Sequence, residues 1–251
     1  MNHAKKVAAI VLAGGKGVRF REIMGNEMQK VLFKVQDKPL IQYTTEILID
    51  SPLIKSIVFN LGYRGEDVRS WVLAQSFSQR ICFSTQTEWT IYNAISKALD
   101  YIPEQTIVCC NGDEIRLGLR IEEALDFHWK NDNFATMVGC YKNCLYRHRL
   151  LHIDSHSKLL LSSELKAQRF KTDLLTVGLV NAGILIFEKK IAQFFLNDLN
   201  NAEWNAIINP LVKKKMMFIY IARNLNYFNI GTEEELKEDL IFFNISLSGT
   251  C

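Results

Sequence analysis

Residues Val7 to Lys38 read VAAIVLAGGKGVRFREIMGNEMQKVLFKVQDK, and this stretch decides the fold. The apolar run Val7 to Leu12 fits a fully buried strand. It breaks at once into Ala13-Gly14-Gly15-Lys16-Gly17-Val18-Arg19, too rich in glycine to continue a sheet. Glycines without a Cβ let backbone N–H groups approach a phosphate, while Lys16, Arg19 and Lys30 bring positive charge to the same neighbourhood. The combination predicts a cradle for a polyanion. A strand-to-helix corner whose glycines only relieve packing is the alternative. Two familiar cradles are excluded, because Lys16 is followed by Gly17 rather than Ser or Thr, and the run Gly15-x-Gly17-x-x closes on Phe20 rather than a third glycine.

Outward from this stretch, strand-like and helix-like segments alternate. Val31 to Val35 reads as a short strand, and Pro39 suits the first turn of a helix running to Ser51. Ile54 to Leu61, Arg80 to Thr85 and Thr106 to Cys110 read as further strands, separated by amphipathic segments around Val68 to Gln75 and Tyr92 to Tyr101. The pattern predicts an α/β fold, with a mostly parallel sheet between helices on both faces and ligands at the carboxyl ends of its strands. Gly112-Asp113, directly after the third of these strands, is therefore expected at the same edge as the glycine loop. A carboxylate beside a triphosphate calls for a hard divalent ion between them. The alternative is an aspartate capping a helix over Leu119 to Trp129.

After Phe134 to Tyr141 the alternation stops. A hairpin is predicted over Leu150 to Leu161, then a strand Val180 to Phe187, helices Ile191 to Leu199 and Asn205 to Lys215, and a strand Met216 to Ala222. Thr232 and Glu235 form a capping box for a final helix to about Phe243.

The 251 residues, 48% of them apolar, suffice for one large domain, here 1–251. The 30 basic and 27 acidic residues give a net charge of +3 and are spread along the chain, so neither nucleic acid nor an anionic membrane is an expected partner. No apolar run approaches the roughly 18 residues of a membrane span and no leader precedes the first strand, so a cytoplasmic protein is expected. Six cysteines without a C-x-x-C pair read as reduced thiols, mostly in the core; zinc at Cys140, Cys144, His148 and His152 is a spacing-based alternative.

Leu12-Ala13-Gly14-Gly15-Lys16-Gly17-Val18-Arg19, a spacer and Gln29-Lys30 together resemble the opening of the sugar-nucleotide pyrophosphorylases, which reads L-A-G-G-x-G-x-R and then P-K. The resemblance covers roughly Val7 to Leu236 and implies a nucleotide-binding half of about 1–130 and a sugar-binding half of about 131–251. It implies the Rossmann-like, three-layer fold of the nucleotide-diphospho-sugar transferases and the joining of a nucleoside triphosphate to a sugar 1-phosphate with release of pyrophosphate, a step of nucleotide-sugar and surface-polysaccharide biosynthesis. On that pattern Leu12 to Gly17, with Gly112, hold the nucleotide, and Arg19, Lys30 and Asp113 are catalytic; the base pocket is not carried over from the pattern, and Gln86 and Glu88 are the side chains able to supply its hydrogen bonds. The sugar side falls to Glu164, Lys166 and Asn181. Mg²⁺ falls to Asp113 and Asn229.

Several positions depart from the pattern. The proline before the key lysine is Gln29, a change expected to affect only loop stiffness. Thr90, Ile91 and Asn93 replace small residues at the base, which leaves the base undetermined, and Lys166 is displaced by one residue from its expected place after Glu164. Asn229 replaces an aspartate and should hold an ion more weakly. The altered base loop and Asn229 keep open a second reading, a binding or regulatory subunit of the same fold. Homo-oligomerisation is left open.

Overall fold

The computed structural model describes residues 5–21, 25, 27–86, 88, 90–142, 149–165, 177–195, 204–231 and 236–237. Its centre is β1 (Val7–Leu12), in which Val7, Ala9 and Val11 enter one hydrophobic core and Ala8 and Ile10 another. Successive strand residues point to opposite faces, so an unbroken apolar run demands cover on both sides. Among the described residues six helices supply it: α1 (Leu40–Ile49), α2 (Gly65–Leu73), α3 (Ile91–Leu99), α4 (Ile121–Lys130), α5 (Ala192–Phe195) and α6 (Asn205–Lys213). Ile41 and Leu48 of α1, Val68 and Val72 of α2 and Leu125 of α4 cover the first face. The second is covered by Ile95 of α3, Ala192 of α5 and Ile207 and Leu211 of α6.

Two short strands, β2 (Lys34–Val35) and β3 (Lys38–Pro39), form a separate ribbon. The main sheet is built from β1 with β4 (Ile54–Leu61), β5 (Arg80–Thr85) and β6 (Thr106–Asn111), all parallel. Then come β7 (Glu114–Leu117), β8 (Ala135–Lys142), β9 (Arg149–Ile153), β10 (Leu160–Leu165), β11 (Gly178–Glu188), β12 (Met217–Ile221) and β13 (Asn226–Asn229). The order across the sheet is β10-β9-β11-β6-β1-β4-β5, and β8 joins β11 to β12. β11 runs antiparallel to β6, β8 and β9, which makes the sheet mixed, with its parallel part running from β6 through β1 and β4 to β5. Because the chain leaves β1 towards β4 on one side and returns to β6 on the other, the carboxyl end of β1 is the switch point where a crevice opens. Leu12 there pairs with both Asn60 and Asn111.

The sequence reading needs two local revisions. Val31 to Val35 is not one strand: Lys30–Leu32 is a single 3-10 turn, and the ribbon that follows reverses through Gln36 and Asp37, both at positive φ (49° and 61°), as the tightest right-twisted hairpins require. And Asp113 caps no helix. β7 intervenes, pairing with β13, and α4 begins after Arg120 without a side-chain cap. The capping box at Thr232 and Glu235 and the final helix fall almost wholly outside the described residues. Among those described, no helix is long and apolar enough to cross a membrane. Cys82, Cys109, Cys110 and Cys140 are free thiols, and burial pushes Cys110 and Cys140 up to about 12, as expected of inert core residues. Cys144 and His148 of the zinc alternative lie outside the described residues.

Candidate active site

The glycine loop leaves β1 at the crevice, and its shape follows from where its carbonyls go. Gln29 Nε2 donates to the oxygens of Ala13 (2.8 Å) and Gly15 (2.9 Å), Tyr63 N donates to Gly14 O (3.1 Å), and Arg21 Nε to Lys16 O (3.3 Å). In a trans peptide the N–H of the next residue points opposite to the carbonyl. Four carbonyls bonded back to the protein therefore turn the N–H groups of Gly14, Gly15, Lys16 and Gly17 the other way. These four residues line a cleft of about 420 Å³, so the loop presents a row of backbone donors to it.

The same cleft is lined by Leu12, Arg19, Gln29, Lys30, Asn60, Gln86, Thr90, Ile91, Asn111, Asp113 and Gly231. Lys30 enters from the 3-10 turn after the loop, only 9% exposed, and its ammonium meets Asp113 Oδ2 at 2.6 Å. Asp113 arrives from the turn after β6. Gly112 makes that turn possible: its N–H donates to Leu12 O at 3.0 Å, and a Cβ there would sit 2.9 Å from the same oxygen. Burial acts to raise the Asp113 carboxyl, but the Lys30 charge and hydrogen bond, with Arg116 behind, outweigh it and hold the group below its ordinary value. The next carboxylate behaves oppositely. Glu114 is buried, and burial raises it although Arg116 lies beside it.

Arg116 escaped the sequence reading. Its guanidinium, wholly buried, donates to Ala182 O (2.6 Å), Gly183 O (3.1 Å), Thr44 Oγ1 (3.2 Å) and the Glu114 carboxylate. It thereby clasps the Asn-Ala-Gly stretch of β11 to β7. The only sequence signal was the alternation Glu114-x-Arg116, which places both on one strand face. In β11 the register against β8 slips between Asn181 and Leu185, and Asn181 Oδ1 accepts from Gly183 N at 2.8 Å across the bulge.

Other predicted residues are placed as follows. Ala13 is buried under the loop, and Gln86 reaches Gly14 O at 3.3 Å from the far wall. Glu88 is exposed and lies outside the cleft lining, its N–H 3.4 Å from Asn93 Oδ1. Thr90 caps α3 by accepting from Asn93 N at 3.0 Å, which gives the departures Thr90 and Asn93 a local structural role. Glu164 belongs to β10, with its side chain outside the description, and Lys166 lies outside the described residues. Asn229 pairs with Glu114 across the β13–β7 ladder and is half-buried; Gly231, two residues on, lines the cleft.

Among the described residues no cluster of three His, Cys, Asp or Glu stands ready for a metal. Lys30 holds one Asp113 oxygen, while Asn111 and Arg116 hold both Glu114 oxygens. This donor set fits an ion that arrives with a triphosphate, since Mg²⁺ needs only one or two protein oxygens beside phosphates and water.

Gln29 is the other residue whose weight the sequence reading missed. It is 1% exposed and, besides bonding the two loop carbonyls, accepts from Val31 N at 3.0 Å, so the change from proline does far more than alter stiffness.

No curated protein matches the chain. Solved structures do. HddC from Yersinia pseudotuberculosis is 20% identical, with 94% of this chain and 99% of that one covered at a TM-score of 0.73; its complex with GMP-PN superposes equally well. A Bacillus anthracis protein described as a glucose-1-phosphate thymidylyltransferase, in complex with sucrose, is 18% identical over 94% of each chain, at a TM-score of 0.74. At such identity these likenesses speak for the fold, which is that of the nucleotide-diphospho-sugar transferases. The model of the nucleotidyl transferase family matches residues 8–239, nearly the whole chain, and the protein is a member of that family.

Proposed function

We propose that the chain joins a nucleoside triphosphate to a sugar 1-phosphate. An acceptor phosphate oxygen attacks the α-phosphorus in line, the bond from that phosphorus to the bridging oxygen of the β-phosphate breaks, and pyrophosphate leaves with the electron pair. The attacking oxygen is already ionised, so no general base is needed. Positioning and charge neutralisation carry the rate. The N–H groups of Gly14 to Gly17, with Lys16 and Arg19, hold the β- and γ-phosphates. Lys30 neutralises charge between the acceptor phosphate and the α-phosphate. Asp113, with the Asn229 amide oxygen, holds Mg²⁺, which when bound supplies charge stabilisation to the phosphates. Leu12 and Gln86 face the nucleoside, Glu88 is assigned to the base from its place in the sequence alone, and Glu164, Lys166 and Asn181 contact the sugar.

The observation that carries this reading is the 2.6 Å contact of Lys30 with Asp113 at the mouth of a loop whose carbonyls are turned away. The GMP-PN complex of the Yersinia neighbour supports a nucleotide as the ligand of such a cleft. The product would be a nucleotide sugar made in the cytoplasm for surface-polysaccharide synthesis. Incubation with each of the four triphosphates and a panel of sugar 1-phosphates, with pyrophosphate monitored, tests it. Release with one matched pair is the expected result. Nucleotide binding without pyrophosphate from any pair would replace the enzyme with a binding subunit.

A further inference from the structure

We infer that Gln29 is a positioning residue for nucleotide binding, a side-chain latch that sets the glycine loop in its ligand-ready shape. The inference rests on the reading of the cleft as a nucleotide site. Gln29 is buried beneath the loop, and among the described residues its amide's hydrogen bonds all go to backbone: two N–H donations to Ala13 O and Gly15 O, and one acceptance from Val31 N. The two carbonyls it holds flank Gly14, whose own carbonyl is bonded by Tyr63 and Gln86. Without Gln29 the carbonyls of Ala13 and Gly15 lose the hydrogen bonds that hold them, and the peptide planes after both residues are able to rotate. A rotated plane presents its oxygen, not its N–H, to the phosphates, which reverses the sign of the local dipole. The acceptance from Val31 N also starts the turn that delivers Lys30, so one side chain registers the loop against the lysine that faces it across the cleft.

A proline at this position would do only part of this. Gln29 has φ −79° and ψ 132°, values that a pyrrolidine ring also adopts, so the path into Lys30 does not require glutamine. The donations to Ala13 and Gly15 do.

Two variants separate the parts. Gln29→Glu keeps the shape and the acceptor for Val31 N but has no N–H to give the two carbonyls; Gln29→Pro keeps the backbone path and loses all three bonds. Both are expected to raise the Kd for Mg-free triphosphate in calorimetry, and KM for the triphosphate, by about tenfold or more, the effect of losing two hydrogen bonds that hold donors in place. KM for the sugar 1-phosphate and kcat at saturating nucleotide should stay within about threefold, because Lys30 and Asp113 remain. Loss of thermal stability with unchanged nucleotide affinity in either variant would overturn the latch and leave Gln29 a packing residue. Equal rises in both KM values would do so too. Wild-type protein that binds none of the four triphosphates would instead overturn the nucleotide reading of the cleft, and the latch with it.

Discussion

Lys30 and Asp113, 83 residues apart in the chain, meet at 2.6 Å, and the lysine reaches that contact with only 10% of its side chain exposed. It is not the loosely held loop residue that a spacer-bound lysine suggests. Its stem packs against Gly17, and its ammonium lies 5.6 Å from the centre of the Phe20 ring. Lys30→Met keeps that packing and removes the charge. It is expected to lower kcat by about 10²–10³, the usual cost of one preorganised donor to developing charge, and to lower the melting temperature as well, because Asp113 loses the partner that offsets its burial. Pyrophosphate release above about a tenth of the wild-type rate would remove Lys30 from the chemistry.

Asp113→Asn tests the other partner. The substitution keeps the shape and takes away the carboxylate that the cleft offers to a cation, so the Mg²⁺ concentration for half-maximal rate should rise and the maximal rate fall together. An unchanged Mg²⁺ titration would reduce Asp113 to the counter-ion of Lys30.

What the sequence disclosed is what lies contiguous in it. The run Val7 to Leu12, the glycines behind it and Gly112-Asp113 behind Thr106 to Asn111 each carry their own signal, and parallel pairing through Leu12 brings them to one edge. The roles of Gln29 and Arg116 depend instead on which distant carbonyls they meet, Ala13 and Gly15 for one, Ala182 and Gly183 for the other. No local pattern encodes such partners. β7 and β13 escaped for a related reason, since four-residue strands are too short for periodicity to separate from turns.

Gly183 marks where β11 locks against β7. It has φ +67°, and a Cβ there would stand 1.8 Å from Glu114 Oε2 and 2.6 Å from Arg116 Nη2. Gly183→Ala therefore meets both a conformational penalty and a clash with a buried ion pair, and a loss on the order of 3 kcal/mol is expected in denaturant unfolding. A loss below about 1 kcal/mol would show that the bulge of β11 adapts freely.

At the far end of the strands Glu188 Oε1 accepts from Thr106 Oγ1 at 2.8 Å and meets His128 Nε2 at 3.2 Å, while His128 Nδ1 bonds Thr136 Oγ1 at 2.9 Å. The His128 hydrogen bond, helped by Thr106 and opposed by burial, holds the Glu188 carboxyl below its ordinary 4.5. A carboxyl depressed on folding stabilises the fold above its unfolded value, and that stability is lost as pH falls from there through the folded value. Glu188→Gln cannot titrate. Its unfolding midpoint should decline less steeply than that of wild type between about pH 5 and about pH 3, and parallel curves would show that the pair does not contribute.

Asn229 is the position that most directly tests the proposed Mg²⁺ site. The β13–β7 ladder sets it opposite Glu114, the residue after Asp113, and Glu114 is already raised by burial with Arg116 as its counter-ion. Asn229→Asp adds a second anionic oxygen near the cation that Asp113 would share with the triphosphate, and a hard ion gains from each such ligand in a partly dehydrated site. It also puts a carboxylate across from another one, and like charges directly opposite in a ladder destabilise it. Two opposed readouts follow: calorimetric Mg²⁺ titration with nucleotide present should show tighter binding, and the melting temperature without metal should fall. Activity at limiting Mg²⁺ should hold or rise. If the variant loses stability and binds Mg²⁺ no better, Asn229 serves the Glu114 side of the ladder rather than the metal. If it binds Mg²⁺ more tightly but releases no pyrophosphate from a pair that wild type accepts, the neutral amide is itself required for turnover.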